Sequence, residues 1–270
     1  MKHLSLLLFL LFLSCSGDKF RKVEQLKDFR VLAIVADTPE VSSVGGTVHL
    51  QLYVSDVNGA GRTITGTTVS CIDPGIGSGA PVTCDYDPTK QVSTYTINTS
   101  VGDPSTHSFT GLNSSILNVN VPAFVLTNRS GRESFNGVAY ITIFEFNVDG
   151  NVQKFFKRIN VTDRGMLNAN PATASILLDG QSYSGVPHKN SALFLSSNDQ
   201  ESYIYEEVDG KRSSREETYE VAWFATSGEL NRPKSETNEK VKFIKGPEST
   251  GFVLIAVVRD DRGGVLVLRE

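Results

Sequence analysis

Side chains that could do chemistry are thinly spread along this chain. Its histidines are His3, His49, His107 and His188, and none has a second His or a Cys at a spacing that would let two donors close on one zinc ion. Carboxylates and amides cluster only where turns are expected: Asp56 with Asn58, Asp85 with Asp87, Asp149 with Asn151, and Asp260 with Asp261. Calcium takes oxygen ligands in such loops, so Asp149, Asn151, Asp260 and Asp261, with Asp163 as a further oxygen donor, are where that ion would bind if one did. None of these turns has the ligand density of an EF-hand loop, and Asp and Asn are also what ordinary turns prefer. No metal and no cofactor is assigned. Gly75-Ile-Gly-Ser-Gly-Ala80 has the letters of a dinucleotide fingerprint. That fingerprint works between a strand and a helix N-terminus, whereas Pro81 and Cys84 follow it here, so a flexible loop is expected instead. Patterns for a nucleophile elbow, an HExxH zinc site or a phosphate loop are missing. No catalytic residue is assigned, and the chain is expected not to be an enzyme. Two carboxylates brought together only by folding would escape such a reading, which keeps an anchored hydrolase as the catalytic alternative.

The thiols say more. Lys2 and His3 open the chain, an apolar run extends from Leu4 to Leu13, and Ser14 and Cys15 follow. About ten apolar residues are too few to cross a hydrocarbon core of about 30 Å, which takes about 20 in a helix; the length suits the h-region of a signal peptide. With small Ser14 before it, Cys15 resembles the lipobox cysteine of bacterial lipoproteins, Phe12 standing where the common box has Leu. The resemblance implies removal of residues 1–14, acylation of Cys15 and attachment to a membrane through that lipid anchor. Ser16, rather than Asp, after the cysteine implies the outer membrane under the sorting rule of enteric bacteria. Residues 15–28 are polar and charged and read as a tether. If Cys15 carries lipid, Cys71 and Cys84 remain, an even pair in an exported chain, which suggests a disulfide. Two buried free thiols are the alternative. A bridge closing a Gly- and Pro-rich loop of this size would stabilise the fold by about 3 kcal/mol.

Composition narrows the partners. The 270 residues carry a formal charge of −4 with 21% charged and 39% hydrophobic side chains, so the chain is neither a disordered polyanion nor a basic nucleic-acid binder. With no basic patch, adhesion to anionic lipid by charge is also excluded. Asn98, Asn113, Asn128 and Asn160 each begin an N-glycosylation triplet, which a chain rich in Ser, Thr and Asn produces by chance.

The elements that must position these groups are strands. Thr47 to Val54 alternates, with Val48, Leu50, Leu52 and Val54 on one face, and Leu117, Val119 and Val121 repeat the pattern. Val31 to Ala36, Val138 to Phe144 and Phe252 to Val258 are apolar on both faces and read as central strands. Asp149-Gly150 and Arg259 to Gly264 each separate two apolar runs in the manner of a hairpin turn. No segment after the leader holds a helical period with caps at both ends, so the fold class is all-β. Asp56 to Ser115 reads as a long excursion, and Glu206 to Glu217 and Glu229 to Lys240 as charged, hairpin-like stretches that form solvated loops and not binding arms. Turn residues from Val161 to Pro171 mark a boundary between two tandem β-sandwich domains, 29–162 and 163–270.

At Phe29-Arg-Val-Leu-Ala-Ile-Val-Ala-Asp-Thr-Pro-Glu-Val41, followed by Gly45-Gly46, the chain resembles the opening of immunoglobulin-like domains in bacterial surface lipoproteins. Tyr219 to Leu230 and Val257 to Gly264 resemble the partner domain of the same proteins. The resemblance implies two immunoglobulin-like sandwiches in the cell envelope and no activity. Trp223, on one strand face with Tyr219 and Val221, is expected in a core. The function expected is a non-catalytic envelope lipoprotein that binds or scaffolds a protein partner through loops and edge strands. The alternative is a structural subunit of a larger envelope assembly, in which an open strand edge is completed by another chain.

Overall fold

The computed structural model describes residues 25–26, 28–56, 59, 62–75, 82–98, 117–248 and 252–270. Cys15, the leader, His3, His107, Asn58 and most of the Gly75 to Ala80 loop lie outside them.

The chain is all-β. The first half contains β1 (Arg30–Ala36), β2 (Glu40–Ser42), β3 (Gly46–Ser55), β4 (Thr63–Ile72), β5 (Gln91–Asn98), β6 (Leu117–Val121), a one-and-a-half-turn helix α1 (Gly131–Asn136), β7 (Val138–Val148) and β8 (Asn151–Thr162). The strands form a sheet of order β1-β3-β6 and another of order β2-β8-β7-β4-β5. The buried faces of the two sheets share one core, in which Val48, Leu50, Leu52 and Val54 of β3 meet Ile97 of β5, Phe144 and Phe146 of β7 and Ile159 of β8. Alternation decides which side chains go in: β3 buries every second residue, as its sequence requires. Phe146 packs over the strand position opposite Gly66, where a Cβ would come within 2.6 Å of the ring and 2.5 Å of the Glu145 carbonyl. That close approach explains a glycine in the middle of β4.

The second half contains β9 (Ser175–Leu178), β10 (Gln181–Ser182), β11 (Ala192–Ser196), β12 (Ser202–Glu206), β13 (Arg212–Glu216), β14 (Tyr219–Ala225), β15 (Glu229–Leu230), β16 (Lys234–Glu236), β17 (Val241–Lys245), β18 (Leu254–Asp260) and β19 (Val265–Arg269). They pair as β10-β9-β11-β17-β15, as β16-β14-β18-β19 and as the separate hairpin β12-β13. Trp223 is fully buried in the core between the two larger sheets, and its indole N–H donates to Ser235 Oγ at 2.9 Å. The polar handle of the ring is thereby satisfied.

Both hairpin turns form. Asp149 and Gly150 adopt φ of 53° and 80°, the pair of positive angles that a two-residue turn between twisted strands needs. At the β18–β19 turn, Asp260 Oδ1 accepts the amides of Arg262 (2.9 Å) and Gly264 (2.7 Å), and Gly263 takes the positive φ.

Several expectations need correction. Asp56 to Ser115 is not simply an excursion: β4 and β5 pair along their length, and β4 also pairs with β7. Their Thr- and Ser-rich sequence hides the pattern, because Thr68, Ser70 and Thr142 are buried and Ser70 Oγ lies 2.9 Å from Thr142 Oγ1. Glu206 to Glu217 does form the turn and second strand of the β12-β13 hairpin, as its hairpin-like sequence suggests, whereas in Glu229 to Lys240 β15 pairs with β17 and β16 with β14 instead of with each other. A short helix does form, with a capping box between Ser130 and Glu133.

β1 is not central in hydrogen-bonding order; it is the edge of its sheet. It is apolar on both faces because a register shift between Val31 and Ala33 turns two consecutive residues the same way. Leu32 and Ala33 therefore both leave the first core and pack with Ala222, Phe224, Ile255 and Val257, the outer face of the β14-β18 pair. A third apolar cluster thus joins the two halves.

Candidate functional site

The junction between the halves concentrates the buried charge of the molecule. The side chain of Arg262, only 6% exposed, projects from the β18–β19 turn. Its Nη2 donates to Glu40 Oε2 on β2 at 2.7 Å, and its Nη1 reaches Glu217 Oε1 at 3.2 Å and Glu201 Oε2 at 3.4 Å. Glu40 also accepts from Asn160 Nδ2 at 2.8 Å and from the Asn168 amide at 2.6 Å, and Arg164 Nη2 lies 3.8 Å from it. The Tyr203 ring on β12 stacks near both guanidinium groups, 4.8 Å from Arg262 and 5.4 Å from Arg164. Burial pushes the Glu217 carboxyl up to about 7; the Glu201 amide and Arg262 oppose that, and Asp260 adds to it.

The boundary segment, Val161 to Pro171, is part of this junction. Asn168 Nδ2 donates to Asp260, Asn170 Nδ2 donates to the Ala36 carbonyl at 2.7 Å, and Asn170 Oδ1 accepts the Val265 amide at 2.8 Å. The β12-β13 hairpin is docked rather than merely solvated: Asn136 of α1 exchanges two hydrogen bonds with the Glu206 backbone, and Arg212 stacks 3.9 Å from the Phe135 ring.

Beside the network lies a cleft of about 540 Å³, walled by Val31 to Ile34 of β1, Lys154 to Arg158 of β8 and the β18–β19 turn. Lys157 is buried, and its Nζ donates to the Gly263 carbonyl at 2.5 Å. Arg259 Nη2 donates to the Leu32 carbonyl at 2.8 Å. Burial pushes the Lys157 ammonium down to about 8, with Asp260 opposing the shift and Arg259 adding to it. Lys154 and Arg158 pair with Glu145 at 2.7 Å and Asp73 at 2.5 Å.

The oxygen-rich turns considered for calcium are dispersed and already engaged. Asp149 Oδ2 accepts from Arg62 at 2.5 Å, and the same guanidinium holds Asp56 at 2.6 and 2.8 Å. Asn151 donates its amide toward the Asp149 carbonyl. Asp260 holds turn amides and Asn168, Asp261 accepts the Tyr203 hydroxyl at 3.2 Å, and Asp163 is exposed. Among the described residues, no group of three or more His, Cys, Asp or Glu is placed to hold a metal ion. His49 faces outward, with Nδ1 2.6 Å from Asp37 Oδ2.

Cys71 and Cys84 are joined by a disulfide with Cα atoms 5.8 Å apart. It packs on the outer face of the β4-β7 pair with Ile141, Ile143 and Val69. The junction network escaped sequence reasoning because Glu40, Glu217 and Arg262 lie far apart in the chain. Only the Pro39-Glu40 break and the turn after β18 could have pointed to it. No protein-family model matches this chain, and no curated protein matches it.

Proposed function

We propose that this chain is a non-catalytic lipoprotein of a bacterial cell envelope, tethered to the outer membrane through acylated Cys15. In this reading its two halves are immunoglobulin-like β-sandwiches, 29–162 and 163–270, that act as a binding or scaffolding module. The observation that carries the reading is the junction. Leu32 and Ala33 share an apolar cluster with Phe224 and Ile255, and Arg262 bridges Glu40 and Glu217, so the halves are joined by both apolar packing and buried charge. Relative motion is the ordinary expectation for two domains in one chain unless their interface is extensive. A joined pair on a polar tether suits presentation of surfaces to a partner.

Phase partitioning tests the anchor. The wild-type chain expressed in a lipoprotein-processing bacterium is expected to enter the detergent phase of a cloud-point extraction and to incorporate labelled palmitate, whereas Cys15→Ser is expected to lose both. Unchanged partitioning of Cys15→Ser would overturn the anchored reading. The second reading, a subunit of a larger envelope assembly, is favoured by the outer edge of β8, which among the described residues has a strand partner at Asn160 to Thr162 alone.

A further inference from the structure

The chain enters the fold at a fixed place. Gln25 forms a parallel bridge with Ala225, its side-chain amide donates to the Gly228 carbonyl at 3.2 Å, and the Leu26 amide donates to the Ala225 carbonyl at 3.0 Å. Leu26 is buried in the apolar cluster that joins the halves, and Phe29, three residues on, is buried in the first core. Whatever precedes Gln25 therefore leaves from the end of β14, just before β1 begins.

That place lies at one end of both halves. In the second half Ala225 pairs with Leu254, and Leu254 exchanges backbone hydrogen bonds with Glu270, so the end of β14, the start of β18 and the last residue lie together. In the first half Arg30 pairs with Ser55, and the β7–β8 turn residue Asp149 lines a cleft of about 340 Å³ with Asp28, Phe29, Asp56 and Arg62. The halves run alongside each other in the same sense: Leu26 sits at Ala225, whereas Asn170 ties Ala36, at the other end of β1, to Val265 beside the β18–β19 turn. That turn, α1 and the β12-β13 hairpin docked on α1 occupy the opposite end. β8 runs between the two ends, and its 12 residues span about 37 Å at roughly 3.4 Å per residue.

Reach decides which end meets lipid. From Cys15 to Gln25 is ten residues of chain, at most about 35 Å even if fully drawn out. Laying the far end on the bilayer would use that whole span to run the length of the molecule. Charge offers no reason to lie flat, because the chain carries −4 and has no basic patch to hold a side against anionic headgroups. At the near end the Arg62 guanidinium is taken by Asp56 and Asp149, and Glu248, whose amide donates to Ser227 Oγ, and Glu270 add carboxylates there.

We infer that the protein stands end-on upon its anchor, with the end that holds Gln25, the β7–β8 turn and Glu270 facing the lipid surface and the end that holds α1 and the β12-β13 hairpin facing away. This rests on the acylation of Cys15 and assigns the surface that a partner protein reaches. Val44, Phe124, Met166 and Val208 are exposed on that outward end, where apolar side chains suit contact with a protein.

Energy transfer from the protein to the lipid surface is the test. The mature acylated chain, its Cys71–Cys84 bridge intact, receives one new thiol for a donor fluorophore: Val152→Cys, beside the β7–β8 turn, or Val208→Cys, at the tip of the β12-β13 hairpin. Each is placed in phosphatidylcholine nanodiscs that carry an acceptor on the lipid headgroups. Transfer from position 152 is expected to exceed that from position 208 by about twofold or more, since the two ends lie about 37 Å apart. Val44→Cys replaces Val208→Cys if the hairpin variant folds poorly. Equal transfer from both ends, as a molecule lying flat would give, or greater transfer from position 208 overturns the proposal. Failure of the anchor is read separately. Cys15→Ser, produced without its leader and labelled at position 152, is expected to stay off the discs, and its retention would overturn the anchored reading and the end-on arrangement with it. Retention of the acylated chain alone, with equal transfer from both ends, overturns the end-on arrangement and leaves the anchored reading standing.

Discussion

At the scale of single residues, burial sets protonation in two opposite senses. Glu217 is pushed up to about 7 from an ordinary 4.5. Between those values the folded chain holds a proton that the unfolded chain has lost, so stability falls as pH rises from about 4.5 to about 7. Burial raises Asp260 as well, which steepens the same limb. Lys157, pushed down to about 8 from 10.5, works the other way: above pH 8 the unfolded chain holds the extra proton, and stability climbs with pH. Tyr140 and Tyr219 are raised by burial and reverse that climb only near and above pH 10. The melting temperature is therefore expected to pass through a minimum between about pH 7 and 8. Glu217→Gln should flatten the acid limb and Lys157→Met the alkaline one. A wild-type profile that rises steadily from pH 5 to 7 would contradict the assignment.

At the scale of elements, legibility followed alternation. β3 and β6 were readable because one face is apolar and the other polar, and the burial of Val48, Leu50, Leu52, Val119 and Val121 bears this out. β4 was not readable, because it buries Gly66, Thr68 and Ser70 where a core strand usually shows Val or Ile. Those small residues make room for Phe144 and Phe146 of β7, so the information sits in the neighbouring strand. The β1 bulge was equally hidden, since an apolar run without alternation fits a central strand as well as an edge strand covered by another sheet. The disulfide fastens the loop before β5 to the outer face of β4. Replacing both Cys71 and Cys84 by Ser is expected to lower the unfolding free energy by about 3 kcal/mol in urea titration, with the fold retained. A loss below about 0.5 kcal/mol would mean that the bridge constrains nothing the unfolded chain was free to do.

At the scale of the whole molecule, what matters is how the two cores are joined. Arg262 is the common partner of Glu40 from the first half and Glu217 and Glu201 from the second. Arg262→Met would leave buried carboxylates without their cation, and breaking such a buried pair costs about 3–5 kcal/mol. Because the cost falls on the junction and on neither core, denaturant unfolding is expected to split into two transitions, one for each half. A single transition shifted as a whole would show that the halves never fold separately. By itself the sequence determined the all-β class, the two hairpin turns, the burial of Trp223 and the pairing of Cys71 with Cys84, each through a local rule of alternation, turn chemistry or cysteine count. Only the tertiary structure decided that the boundary segment ties the halves together through Asn168 and Asn170, that β1 serves two cores, and that Lys157 is buried against the β18–β19 turn. Those arrangements depend on residues more than a hundred positions apart, and long-range contacts leave no periodic signal in the chain that forms them.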